Sequence, residues 1–157
     1  MPKHSEKKFK VDSFVSIQKK LSELDAKLVS ESESHHYYGV QASKDVAKLV
    51  VSDSKCEIHI LKEKEGTFNL TEKFKVKNKD EGIKWLQKNG FKEIVYIKMA
   101  HRDYAYGNGI VGLYVINDSL LSVILDYPTD SHAKLTEILD LDTAEVIVQP
   151  YNQYLQK

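Results

Sequence analysis

Two stretches of this chain repeat one another, and the repeat limits what the chain can fold into. Glu6-Lys7-Lys8-Phe9-Lys10-Val11 resembles Thr71-Glu72-Lys73-Phe74-Lys75-Val76, and in the same register Leu21 falls on Leu86, Lys27 on Lys92 and Val29 on Ile94. Each copy alternates polar and apolar residues as a half-buried strand does, passes into helical spacing, and then reads as extended again. Strand, helix, strand thus occurs twice at one offset. The architecture predicted is two similar halves that each supply strands to one curved sheet, with Lys8 and Lys73 in equivalent places.

In the first copy, Phe9 and Val11 share one strand face, while His4, Glu6, Lys8 and Lys10 share the other. Asp12 or Ser13 caps a helix that carries Phe14, Ile17, Leu21 and Leu24. From Lys27 the chain reads as extended through a polar run over 30–34 to His35-His36-Tyr37-Tyr38. Strands are expected over 46–51, 56–64 and 68–77, with turn formers at Ser52-Asp53-Ser54 and Gly66. The helix of the second copy is expected over 78–89, capped by Gly90. Extended segments follow over 91–104, 110–116 and 120–127, with Gly107-Asn108-Gly109 as a hairpin turn. A last helix fits 131–139, and 144–149 closes the sheet.

At 157 residues the chain suits a single domain over 1–157 with a real core. Lys+Arg and Asp+Glu both total 23, so net charge gives no general case for nucleic acid or an anionic membrane as partner. Arg102 is the sole arginine, so phosphates would be met by lysine point charges rather than by rigid guanidinium forks. Cys56 stands alone, which excludes an intrachain disulfide and suits the reducing cytoplasm. The polar start and the lack of a membrane-length apolar run lead us to expect a soluble, untargeted protein.

Several chemistries are set aside. There is no Gly-rich phosphate loop, no Gly-x-Ser-x-Gly and no Cys/His nucleophile set. His35 and His36 are neighbours and point to opposite faces of a strand. His59, His101 and His132 lack ligand spacing with Cys56, so no zinc site is expected. The tyrosines are assigned to core and wall positions, and Lys44, Lys55 and Lys84 to solvated faces.

In order along the chain, these features resemble the CYTH family, which includes class IV adenylate cyclases, thiamine triphosphatases and related tunnel phosphatases. That family opens on Glu-x-Glu-x-Lys and an aromatic residue; here the stretch is His4-Ser5-Glu6-Lys7-Lys8-Phe9, with His4 in place of the first Glu. Tyr37-Tyr38 matches an aromatic pair after a polar turn, and Gly90-Phe91 a Gly-Phe at the end of the middle helix. Lys98-Met99-Ala100 meets a Lys-x-Arg strand with Ala100 at the Arg position and Arg102 one step on in the same parity. Tyr151 and Leu155 match the closing tail.

The resemblance implies an α+β fold: an antiparallel eight-stranded tunnel-like β-barrel with helices packed outside. It also implies that basic residues bind a triphosphate and acidic residues hold Mg²⁺ or Mn²⁺. Carried onto this sequence, Glu6 and Lys8 are the catalytic positions, and Glu6 and Asp126 the metal positions. Lys48, Lys62 or Lys64, Lys73, Lys98 and Arg102 make up the ligand-binding set. Two carboxylates suit one metal held through a bound triphosphate and are thin for two. The expected partner is therefore a small-molecule polyphosphate or nucleotide, with metal-dependent hydrolysis or cyclisation as the implied chemistry. The rival expectation is an inactive tunnel that serves as a partner-binding or structural module, with its lysines and carboxylates paired to one another.

Overall fold

Alternation and capping translate directly into elements. Phe9 and Val11 pack against a buried apolar cluster and set the inner face of β1 (His4–Val11). The next helix, α1 (Val15–Glu23), begins where the Val15 N–H donates to Ser13 Oγ at 3.1 Å, so Ser13 rather than Asp12 serves its start. After β2 (Lys27–Val40), β3 (Val46–Val51), β4 (Cys56–Lys64) and β5 (Thr67–Lys75) comes α2 (Lys79–Lys88). Asn78 caps α2 by accepting the Glu81 N–H at 2.9 Å, and Asp80 and Glu81 face the positive end of its dipole. Gly90 stops it at φ 85°, where a side chain would be strained.

The second half of the chain runs through β6 (Lys92–Tyr106), β7 (Gly109–Ile116), β8 (Leu120–Pro128), a 3-10 turn over Thr129–Ser131, α3 (His132–Ile138), β9 (Glu145–Ile147) and α4 (Tyr151–Tyr154). This computed structural model describes residues 4–65 and 67–155; the expected turn former Gly66 lies outside the described residues. The chain is α+β, and the described residues form nine strands where the tunnel reading had eight. The extra strand is β9, the short closing segment beside β1. Among the described residues no helix is long and apolar enough to cross a membrane.

The chain divides into two compact units, the first Met1–Ser32 with Ala100–Val148, the second Glu33–Met99 with Gln149–Lys157. In the first unit the strand order runs β2, β6, β7, β8, β1, β9, with β1 antiparallel to both β8 and β9. One face of this sheet carries Phe9, Val111, Leu113, Val123, Leu125 and Tyr127 against Ile17 and Leu21 of α1 and Leu135 of α3. The Tyr127 hydroxyl donates to the Tyr106 carbonyl at 2.6 Å, and burial pushes its pKa up to about 12.

In the second unit the order is β5, β4, β3, β2, β6. Here Ala47, Leu49, Ile58 and Ile60 pack on Leu86 of α2 and on Phe91. Gly82 lets α2 sit close, since a Cβ there would lie 2.5 Å from Leu49 Cδ1. In the first unit α1 and α3, and in the second α2, take one face of the sheet, while Asn152 of α4 lies near Tyr38 on the other face of the second unit. Strand alternation leaves the other face to a second set of side chains.

Candidate functional site

On the face of the second unit turned away from α2, four strands each contribute one residue to a single cross-strand row. Tyr38 of β2 is opposite Lys48 of β3, Lys48 is opposite His59 of β4, and His59 is opposite Lys73 of β5. The sequence produces this by strict alternation: in Cys56-Glu57-Ile58-His59-Ile60 the isoleucines go to the α2 side, which turns Glu57 and His59 the other way. Lys48 Nζ lies 5.7 Å from the centre of the Tyr38 ring.

Glu57 is the counter-charge of this row. The His59 imidazole N–H donates to Glu57 Oε1 at 3.0 Å, and Lys73 Nζ lies 3.6 Å from the same oxygen. The hydrogen bond from His59 is the main reason the Glu57 carboxyl titrates below its usual range, with Lys73 adding to it. His59 is also held below the ordinary imidazole value. Burial is the largest cause; the hydrogen bond to Glu57 opposes it, and the charges of Lys48 and Lys73 add to the lowering. Two lysines and a histidine are thus arranged around one carboxylate.

The first unit has a different face. Asp126 of β8 is opposite both Glu6 of β1 and Ile110 of β7. Gly112 is opposite Ile124, and Ile124 is opposite Lys8. Beside Gly112 stands Asp103 of β6, whose Oδ1 would lie 3.0 Å from a Cβ on that glycine. Asp103 titrates above the usual carboxylate value, chiefly through burial and further through Asp126, while His101 opposes the shift. His101 Nε2 is 3.5 Å from Asp103 Oδ2, and its ring stacks on Tyr114 with centroids 5.0 Å apart.

The residues singled out in the sequence therefore fall into three places. Lys48 and Lys73 come together in the second unit, while Glu6, Lys8 and Asp126 share one face of the first. Lys62 and Lys64 alternate with His59, fall in the parity of Ile58 and Ile60, and are exposed. Lys98 has the parity of Ile94, which packs on the α2 side. Arg102 has the parity of Tyr104 and Tyr106, which pack on the helix side of the first unit, and its Nε meets Glu31 Oε2 at 2.9 Å. These four stand apart from the row.

Glu57, His59, His101 and Asp103 were not singled out in the sequence. The repeat contained the signal for two of them: carried past Val29 and Ile94, its register takes His36 onto His101 and Tyr38 onto Asp103.

The donor set bears on the metal that a CYTH resemblance implies. Asp103 and Asp126 lie close enough for one to raise the other, and Glu6 faces Asp126 across the strand pair. Such carboxylates fit one hard divalent cation whose remaining shell comes from phosphate and water. Among the described residues no three or more His, Cys, Asp or Glu side chains are grouped as a ready metal cage.

No protein-family model matches the chain, and no curated protein matches it by sequence. Solved structures do match. A protein from Pyrococcus horikoshii is 19% identical, covering 95% of this chain and 97% of that one at a TM-score of 0.78. A candidate adenylate cyclase from Vibrio parahaemolyticus is 11% identical, with 98% of each chain covered at 0.67. A candidate adenylyl cyclase from Hippeastrum, with a dominant triphosphatase activity, is 11% identical over 94% of this chain and 91% of that one at 0.60. The fold is the CYTH fold. At these identities the likeness is one of fold, and the side chains above have to carry the chemistry.

Proposed function

We propose that this chain is a CYTH-like protein of the cytoplasm that binds a triphosphate- or nucleotide-type anion within a β-barrel tunnel. The observation that carries the reading is the row Lys48, His59 and Lys73, which sets three nitrogen groups in line around the single carboxylate of Glu57. Several converging cations are what a polyphosphate needs, and an anion there would relieve the mutual repulsion of the lysines. Lys8 adds a cation on the face of the first unit. Within the first unit, Asp103 and Asp126, with Glu6, would hold Mg²⁺ or Mn²⁺. The chain's own residues then position the phosphates, and hydrolysis and cyclisation differ only in whether water or a ligand hydroxyl attacks.

The test is thermal unfolding with tripolyphosphate, ATP and thiamine triphosphate, each with and without Mg²⁺ or Mn²⁺. At about a hundred times its dissociation constant a ligand adds roughly 2.7 kcal/mol. The shift is expected to vanish in Lys48→Ala and Lys73→Ala and to persist in Lys62→Ala. A flat response to every ligand would sink the reading.

A second reading is a tunnel domain without small-molecule chemistry, serving as a partner-binding or structural module. What favours it is that Glu57 already engages His59 and Lys73, and that Val50, on the face turned away from α2, and Ile124, on the face turned away from α1 and α3, are buried at 7% exposure. It predicts that Glu57→Gln creates no anion site, whereas the first reading predicts a stronger one.

A further inference from the structure

The middle member of the cross-strand row differs from its neighbours, because an imidazole changes charge near neutral pH and a lysine does not. His59 of β4 is flanked by Lys48 of β3 on one side and by Lys73 of β5 on the other, with Tyr38 of β2 beyond Lys48. In the next row of the same face, Glu57 lies between Val50 of β3 and Lys75 of β5, and Lys55 also acts on it. Lys48, Lys73 and Glu57 are the charged groups that act on the ring itself. Side-chain exposure is 17% at His59 and 50% at Lys73, so solvent reaches the row although most of the imidazole is withdrawn from it.

Glu57 decides which ring nitrogen is open. Its carboxylate can only accept, and it takes the proton on His59 Nε2 at 3.0 Å. A neutral ring held in this way has its one proton committed, and Nδ1 is left with a lone pair. That state suits a half-buried ring beside two ammonium groups. It is the wrong partner for a phosphate oxygen, which is itself an acceptor. A polyanion laid across Lys48 and Lys73 therefore meets an acceptor in the middle of the row until Nδ1 takes a proton. The anion also supplies what that proton needs. Its charge offsets that of the lysines, and the imidazolium then has Glu57 at Nε2 and phosphate oxygen for Nδ1.

We infer that a polyphosphate binding along Lys48, His59 and Lys73 draws a proton onto His59, which makes the row a proton-coupled anion site that tightens on acidification. The inference rests on the anion-binding reading and deepens it by naming how that site is regulated. Without the anion, burial and the two lysines hold the ring below the ordinary imidazole value despite Glu57. With the anion bound, the ring titrates higher. Affinity is then greatest below the free ring's value and falls as pH rises through the bound ring's value, above which it is level.

Two measurements on the full chain test this, with tripolyphosphate as the probe. NMR follows the His59 ring resonances against pH, with and without the anion, and the ring is expected to titrate about one pH unit higher when tripolyphosphate is bound. Calorimetric titration between about pH 5.5 and pH 8, a range in which Glu57 stays ionised, is expected to show a gain of about tenfold toward the acid end beyond any gain in His59→Gln. The variant cancels the protons that tripolyphosphate itself carries, and its carboxamide still offers Glu57 a donor. A ring that titrates at the same pH with and without bound tripolyphosphate, or wild-type affinities that run parallel to those of His59→Gln, would overturn the proton coupling and leave the cation row standing. Should the variant fail to fold, the wild-type ring resonances decide alone. No binding of tripolyphosphate at any pH would overturn both readings.

Discussion

The two units are built on one repeated strand–helix–strand plan and have opposite polar faces. The row Lys48, His59, Lys73 of the second unit has its counterpart in Gly112, Ile124 and Lys8 of the first, because Lys73 and Lys8 occupy equivalent strand positions. Tyr38 has its counterpart in Asp103. One half sets two lysines in line with the imidazole of His59 beside the carboxylate of Glu57. The other has one lysine left in that line and gathers Glu6, Asp103 and Asp126 nearby. A chain with no net charge thus contains a basic face and an acidic one, which shows why whole-chain charge was silent about ligands.

The largest effects test whether the halves are equivalent in energy as well as in plan. Leu21 and Leu86 match in the repeat and are 1% and 0% exposed. Leu21→Ala and Leu86→Ala are each expected to cost about 3 kcal/mol in denaturant unfolding. A cost in one that is several-fold smaller would break the equivalence.

Next comes the counter-charge. Glu57→Gln removes the carboxylate that offsets Lys73 and His59, and is expected to lower unliganded stability by about 1 kcal/mol while tightening tripolyphosphate binding. Weaker binding would show that Glu57 orients the row rather than opposing its charge.

Acid titration contrasts the two faces by sign. Glu57 has a lowered folded value, so its contribution is complete above its ordinary value and is lost as pH falls through the lowered one. Asp103 has a raised folded value, so its contribution grows as pH falls from that value toward the ordinary carboxylate range. On acidification, wild type is therefore expected to lose ground to Glu57→Gln and to gain on Asp103→Asn, measured as unfolding midpoints against pH. Slopes of the same sign would remove the contrast.

The smallest effect is expected at Arg102. Its pairing with Glu31 joins two side chains each more than half exposed, so Arg102→Ala is expected to shift stability by less than about 0.5 kcal/mol and leave tripolyphosphate affinity unchanged.

Most of the fold was legible in the sequence. The hydrophobic spacing around Leu21 and Leu86 gave both long helices, Asn78 and Gly90 bounded the second, and β3 and β4 fall on the expected residues. The closing strand expected over 144–149 forms as β9, Glu145–Ile147, whereas α4 is too short for helical spacing to show. The site was harder to read, because a strand's alternation gives two faces without saying which one the helices cover. In β6 the ambiguity is complete: Ile94 and Tyr96 alternate with Ile97 and Met99, apolar on both sides, so Lys98 and Arg102 were placed by motif when the protein has His101 and Asp103 in the other parity. At His59 the parity was plain, and only the absence of metal-ligand spacing led it to be passed over.

The cross-strand row also measures length. Neighbouring strands lie about 4.8 Å apart, so Lys48, His59 and Lys73 stand as three posts across roughly 10 Å, with no guanidinium fork to fix the angle of any one phosphate. Posts spaced in this way discriminate by how many are touched at once. On the anion-binding reading, a lone phosphate would meet one post and gain little, while a chain of three would engage the whole line, so affinity is expected to climb with the number of phosphates.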